Sequence, residues 1–183
     1  MDKDQEEIVE MLQEGNVGVL PTDTLYGLVG SALNPEAVER IYTLKERDAS
    51  KPLIVLISNI DELERFGVII SEELKEQLSA YWPGKNSIIL PTVDEEFEYI
   101  HRGKDMIAFR LPDNDELLAL LQKTGPLVAP SVNPEGMPPA KSVAEAQKYF
   151  GSDIAFYIDG GVLEGPASTL LRYDDGKMVV IRE

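Results

Sequence analysis

The chain has 183 residues, 17 basic and 33 acidic, a formal net charge of −16 and no cysteine. That composition excludes a disulfide framework and a thiolate metal site, and disfavours long-range attraction to nucleic acid or anionic membrane. The length fits a single domain over residues 1–183; with an acidic N-terminus unlike a signal peptide and no apolar run near the ~20 residues of a membrane helix, a cytoplasmic protein without membrane contact is expected.

In chain order, Ile8, Met11 and Leu12 predict a helix over 4–14, stopped by Gly15. Val17–Leu20 reads as a strand. The segment after it is taken as extended, with Thr22, Thr24 and Tyr26 on one side. Asn34-Pro35-Glu36 is a helix start, with a cap, a proline in the first position and an acid in the first turn. Ala37, Val38, Ile41 and Tyr42 make its apolar face, which ends near Lys45. Leu53–Ile57 is a strand. Ser58 opens a short helix ending at Gly67, and Ser71 opens another with Leu74, Leu78 and Tyr81 on a stripe. Trp82 is expected as a packed aromatic before a turn, and Ser87–Leu90 as a strand. The acidic run Asp94–Glu98 reads as a solvated loop, and His101 as an exposed histidine. Ile107–Arg110 is a strand. Asp113–Glu116 and Ser142–Glu145 read as capping boxes, opening helices that end at Gly125-Pro126 and Gly151. Leu127–Ala129, Ala155–Ile158, Ser168–Arg172 and Met178–Arg182 complete the strands, with a turn at Gly160-Gly161. Most strands are apolar throughout, as expected when helices cover them. Some follow one another without a helix, so a mixed α/β sheet is predicted.

The usual phosphate loops and zinc-helix motifs are absent from the sequence. A Ser-His-Asp arrangement would depend on His101, in a polar, acidic region. What stands out are polar residues two apart at strand ends: Thr22, Thr24 and Tyr26; Lys45 and Arg47; Ser131 and Asn133. In extended backbone such residues project to one side and can meet one ligand. Each set also has a plainer reading. Thr22-Asp23-Thr24 suits a turn or a cap, Lys45 and Arg47 suit the negative end of the preceding helix, and Ser131 and Asn133 suit a turn. Ser142 is a helix cap in any case, at a terminus that also favours a phosphate.

Taken together, several stretches resemble the YrdC/Sua5 family of threonylcarbamoyl-AMP synthases. They are Pro21-Thr-Asp-Thr-Leu-Tyr-Gly-Leu28, Leu44-Lys-Glu-Arg47 with Lys51-Pro-Leu-Ile54, and Trp82-Pro-Gly84. Ala108-Phe-Arg-Leu-Pro112, Ala129-Pro-Ser-Val-Asn133 with Gly136, Asp159-Gly-Gly161 and Ser168-Thr169 follow in the family's order. The resemblance runs from about Gly18 to Arg182 and is closer to the single-domain YrdC type, without the C-terminal domain of the longer Sua5 type. It implies an open, twisted mixed α/β sheet with helices packed on it and a large concave face. It also implies the synthesis of threonylcarbamoyl-AMP and pyrophosphate from L-threonine, bicarbonate or CO2, and ATP, the first step of a tRNA threonylcarbamoyladenosine modification.

By the same resemblance, Lys45 and Arg47 are the catalytic pair. Thr24, Tyr26, Arg110, Ser131 and Ser168 hold L-threonine. Lys45, Arg47, Lys51, Asn133, Ser142 and Arg182 face ATP, which brings Mg²⁺. No residue reads as a covalent nucleophile or as a general base, so positioning and charge stabilisation are expected to carry catalysis. The implied partners are a downstream threonylcarbamoyl transferase complex and a weak tRNA contact. An RNA-binding module and a nucleotide-binding paralogue with little synthase activity are the alternative readings. The chain departs from the family pattern at Asp48, where a proline commonly follows the arginine, and at Pro134-Glu135, where a serine often precedes the glycine. It departs again at Lys85-Asn86, Ala140-Lys141 and Ala167.

Overall fold

Each of the longer helices beyond the N-terminal one begins where a side-chain oxygen can take up free amides. The structure, a computed structural model, describes residues 3–183, with side chains from residue 5 onward. Met1 and Asp2, the start of the segment read as lacking a signal peptide, lie outside the described residues. The first elements are α1 (Lys3–Gln13), β1 (Gly18–Pro21), β2 (Tyr26–Ser31), α2 (Pro35–Lys45) and β3 (Ile54–Leu56). Next come α3 (Glu72–Ser79), β4 (Asn86–Pro91), α4 (Glu98–His101), β5 (Met106–Arg110) and α5 (Asp115–Thr124). The chain closes with β6 (Leu127–Val128), α6 (Val143–Phe150), β7 (Phe156–Tyr157), β8 (Thr169–Asp174) and β9 (Lys177–Arg182). Asn34 caps α2 by accepting from Glu36 N at 2.9 Å and Ala37 N at 3.1 Å. Ser71, Asn114 and Ser142 cap α3, α5 and α6.

The strands form one nine-stranded mixed sheet in the order β7-β1-β2-β6-β3-β5-β4-β8-β9. β1 with β7, β3 with β5, and β4 with β8 are parallel; the other neighbours are antiparallel. Alternate residues of the central strands feed two cores. Leu28, Val55 and Val128 join α2 residues Val38 and Ile41 on one face. Val29, Leu56 and Leu127 join Leu12 of α1 and Leu117, Leu120 and Leu121 of α5 on the other. Both faces are covered there, which explains the unbroken apolar runs. Further along, Ala108, Ile89, Arg172 and Val179 stand in register across β5, β4, β8 and β9. All four are partly or fully exposed. That uncovered part of the sheet is the open face expected from the sequence.

Several sequence expectations are corrected. β2 is a strand although it was not read as one; two glycines in Tyr-Gly-Leu-Val-Gly-Ser hide a fully buried run. The helix read from Ser58 is a 3-10 turn over Ile60–Phe66, capped by Asn59. Asn114 rather than Asp113 caps α5, accepting from Leu117 N at 2.9 Å. The acidic run is not a solvated loop: a 3-10 turn over Glu95–Phe97 leads into α4, and Phe97 and Ile100 are buried. Those apolar side chains dock the segment on the core. His101 follows them inward and is 3% exposed, not a surface residue.

Candidate functional site

The β1–β2 connection is a turn, not an extended segment, and the alternation argument therefore fails there. Thr22 N donates to Leu25 O at 3.1 Å, and Thr22 Oγ1 donates to the same carbonyl at 2.7 Å. The turn brings the two threonine hydroxyls to 3.1 Å from each other. Both then accept from one guanidinium, Arg110 Nη1 to Thr24 Oγ1 at 3.1 Å and Nη2 to Thr22 Oγ1 at 3.2 Å. Arg110 is the last residue of β5, in the middle of the sheet, and is only 4% exposed. Burial lowers its pKa and Asp23 opposes that shift. Asp23 Oδ1 lies 3.3 Å from Arg110 Nη2, and both side chains are buried. Arg110 Nε has no hydrogen-bond acceptor among the described residues. Asp23 was not nominated from the sequence; its place between two nominated threonines was the available signal.

Lys45 and Arg47 are likewise not on extended backbone. Glu46 takes a left-handed conformation, φ 50°, and caps α2 through its amide to Thr43 O at 3.1 Å. Arg47 N donates to Tyr42 O at 3.0 Å. This helix-end geometry sends the two side chains apart. Lys45 turns inward, 2% exposed, and donates Nζ to Ser131 O, to Asn133 O at 2.7 Å and to Asn133 Oδ1 at 3.3 Å. Burial first, and Arg47 second, push its pKa down to about 7, with Glu135 opposing. Arg47 braces the following loop, Nε to Lys51 O at 3.2 Å and Nη2 to Pro52 O at 2.9 Å.

Ser131 bridges antiparallel to Gly27, and Asn133 N returns to Ser131 O at 3.2 Å, so this pair also sits on a tight turn. Ser131 Oγ donates to Asn133 Oδ1 at 2.7 Å, and Asn133 Nδ2 donates to Met137 O at 2.7 Å. Lys45, Ser131 and Asn133 are thus joined by hydrogen bonds. Lys51 is ion-paired with Glu135, whose other oxygen accepts from Asp48 N at 2.6 Å. Hydrogen bonds from Lys51 and then from the Asp48 amide hold the Glu135 carboxyl below the usual range.

An open cavity of about 310 Å³ lies among these elements. Thr24, Tyr26, Arg47, Arg110, Ser131, Ser168 and Arg182 line it. Among the described residues no aspartate or glutamate lines it, although the chain carries a net charge of −16. Three guanidiniums therefore line the space, one of them, Arg110, with the buried Asp23 carboxylate against it. Tyr26 contributes its ring, because its hydroxyl is engaged by the 159–161 loop: it donates to Gly161 O at 2.7 Å and accepts from Gly160 N at 2.8 Å. Gly160 is needed there, since a Cβ would stand 2.6 Å from Pro21. Ser168 Oγ shares a hydrogen bond with Ser87 Oγ at 2.8 Å, and Ser168 O accepts from Arg182 Nη2 at 3.3 Å. Lys45, Lys51, Asn133 and Ser142 are not among the lining residues. Lys45 and Asn133 are instead hydrogen-bonded to Ser131, which does line it. Ser142 caps α6, accepting from Glu145 N at 3.3 Å while Glu145 takes the Lys141 amide at 2.8 Å.

A family model described as Sua5_yciO_yrdC, telomere recombination, matches residues 10–183. A threonylcarbamoyl-AMP synthase of Bacillus subtilis (strain 168) is 35% identical over 175 residues, covering 94% of this chain and 51% of that protein. One of Pseudomonas entomophila is 31% identical over 171 residues, covering 93% of this chain and 92% of that protein. The crystal structure of P. abyssi Sua5 complexed with L-threonine superposes with a TM-score of 0.89 at 32% identity, covering 97% of this chain and 53% of that one. The chain thus spans about half the length of the Bacillus and P. abyssi relatives.

Proposed function

The chain belongs to the Sua5/YciO/YrdC family, and from that premise we propose that its arginine-lined cavity binds L-threonine and ATP and produces threonylcarbamoyl-AMP and pyrophosphate. The observation that carries this reading is the cavity's cationic lining: Arg47, Arg110 and Arg182 line it, and among the described residues no carboxylate does, Asp23 being buried against Arg110. A zwitterionic amino acid and a nucleotide polyphosphate both bring anions that such a lining accepts.

Arg110 is the proposed partner of the threonine carboxylate. It is preset by Thr22, Thr24 and Asp23 and lines the cavity. A guanidinium held in this way loses little freedom on binding. Thr24 and Ser168 supply hydroxyls around it, and the Tyr26 ring forms a wall. The threonine amine adds to CO2, directly or from bicarbonate, and loses a proton to become a carbamate. A carbamate oxygen then bonds to the α-phosphorus of ATP, the α–β phosphoanhydride bond breaks, and pyrophosphate leaves with its electron pair. Arg47 and Arg182 face the space available to the phosphates. Lys45 supports from behind, fixing the Ser131–Asn133 turn with its buried ammonium. The chemistry assigned to these groups is positioning and charge neutralisation in a partly desolvated site.

Among the described residues, no group of three or more His, Cys, Asp or Glu side chains is placed to hold a metal ion. Mg²⁺ is accordingly proposed to enter as the nucleotide's counter-ion, on phosphate oxygens. The product is a mixed anhydride, and its proposed consumer is a threonylcarbamoyl transferase complex acting on tRNA in the cytoplasm, with at most a weak tRNA contact here. Pyrophosphate release from the purified chain tests the proposal. It is expected only when ATP, Mg²⁺, threonine and bicarbonate are all present; release that persists without threonine or without bicarbonate contradicts it.

A further inference from the structure

Two departures from the family pattern, Asp48 and Glu135, meet in space. Asp48 N donates to Glu135 Oε2 at 2.6 Å, and Lys51 Nζ is bonded to Glu135 Oε1. They join the loop over 47–51, which begins at Arg47, to the loop over 133–137, which begins at Asn133. Glu135 N also donates to Lys45 O at 2.7 Å, which ties its backbone to the end of α2. The Glu135 carboxylate acts electrostatically on Lys45, and Lys51 and Arg47 act on it. It therefore sits as an anion amid Lys45, Arg47 and Lys51, three cations that the family resemblance assigns to the nucleotide and of which Arg47 lines the cavity. Both of its oxygens accept hydrogen bonds, one from an ammonium and one from a backbone amide. Phosphate oxygens use the same kinds of donor.

We propose that Glu135 is an internal competitor for the phosphate donors of this site, and so sets the affinity for polyphosphate ligands. The inference rests on the proposed nucleotide site and specifies how that site is regulated. With Glu135 in place, Lys51 Nζ and the Asp48 amide are occupied, and a carboxylate opposes the approach of further negative charge. A polyphosphate must displace the carboxylate to reach those donors. Its apparent affinity is then lowered by the fraction of molecules in which the donors are occupied. Lys51 and Glu135 are about half and one-third exposed, so the ion pair is weak enough for such exchange. The alternative is that Glu135 holds Lys51 in its productive position, in which case removing the carboxylate weakens binding. The two ideas predict opposite signs.

The test is calorimetric titration of inorganic pyrophosphate and of Mg²⁺-ATP into the intact chain and its Glu135→Gln, Glu135→Ala and Lys51→Ala variants. Glutamine keeps the side chain's size and an acceptor for the Asp48 amide but removes the charge. Both Glu135 variants are expected to bind pyrophosphate more tightly, by up to about fivefold, as follows from releasing one exposed ion pair. Lys51→Ala is expected to bind more weakly than the parent. Unchanged or weaker binding in Glu135→Gln overturns the inference, as does an absence of pyrophosphate binding in every protein. Threonine- and bicarbonate-dependent pyrophosphate release is measured separately on the parent chain. Its loss would remove the synthase reading while tighter pyrophosphate binding in Glu135→Gln still supported the competitor role.

Discussion

Arg110 and Lys45 are both cations buried in the same site, but they do different things. Arg110 lines the cavity, whereas Lys45 spends its ammonium on three oxygens of the Ser131–Asn133 turn. Arg110→Lys keeps charge but loses the fork shared by Thr22 and Thr24. Threonine affinity, measured by calorimetry, is expected to fall by about 2 kcal/mol or more, the usual cost of removing one partner of a buried charged contact. For Lys45 the sign of the pH effect follows from its pKa of about 7 in the free protein. Phosphate favours the ammonium, so above about pH 7 binding must first take up a proton. Mg²⁺-ATP affinity is expected to fall as pH rises from 7 to 9, with net proton uptake at pH 8 visible across buffers of different ionisation heat. Lys45→Met should flatten that profile; a profile unchanged by the substitution would contradict the assignment. The nominations at this scale came from residue type and family pattern. The proposed i, i+2 geometry did not hold, because turn hydrogen bonds and a helix cap override extended backbone at all three positions.

At the level of elements, helix ends were the most legible feature, since caps and stops are local chemistry. Asn34, Ser71 and Ser142 cap as read, and Gly125 and Gly151 follow α5 and α6. What stayed hidden depends on distant contacts. β2 becomes a strand because β1 and β6 flank it, not because Tyr-Gly-Leu-Val-Gly-Ser favours one. α4 forms where Phe97 and Ile100 find the core, against the acidic composition around them. The Ser142 cap gives a prediction at this scale. Ser142→Ala is expected to lower unfolding free energy by about 1 kcal/mol in denaturant titration. Because Ser142 lies outside the cavity lining, threonine binding should be unchanged. Loss of threonine affinity would show that α6 positions the site.

Over the whole molecule, the fold separates charge by place. The chain carries 33 acids against 17 bases, and three of those bases are arginines that line the cavity. An approaching nucleotide meets repulsion first and attraction only at short range. Screening at about 0.15 M salt, with a Debye length of about 8 Å, removes more of the former than of the latter. The association rate of Mg²⁺-ATP in stopped flow is therefore expected to rise between about 0.02 and about 0.15 M salt; a steep fall would mean that the cavity field dominates at long range. The mixed sheet was readable from interleaved strands and helices and its open face was implied by the family resemblance, but strand order was not readable, because pairings such as β4 with β8 join segments far apart in sequence. The most direct test of the central claim supplies ¹³C-bicarbonate with ATP, Mg²⁺ and threonine and weighs the adenylate by mass spectrometry. The account predicts a threonylcarbamoyl adenylate carrying one ¹³C. An unlabelled threonyl adenylate, or no adenylate at all, would contradict it.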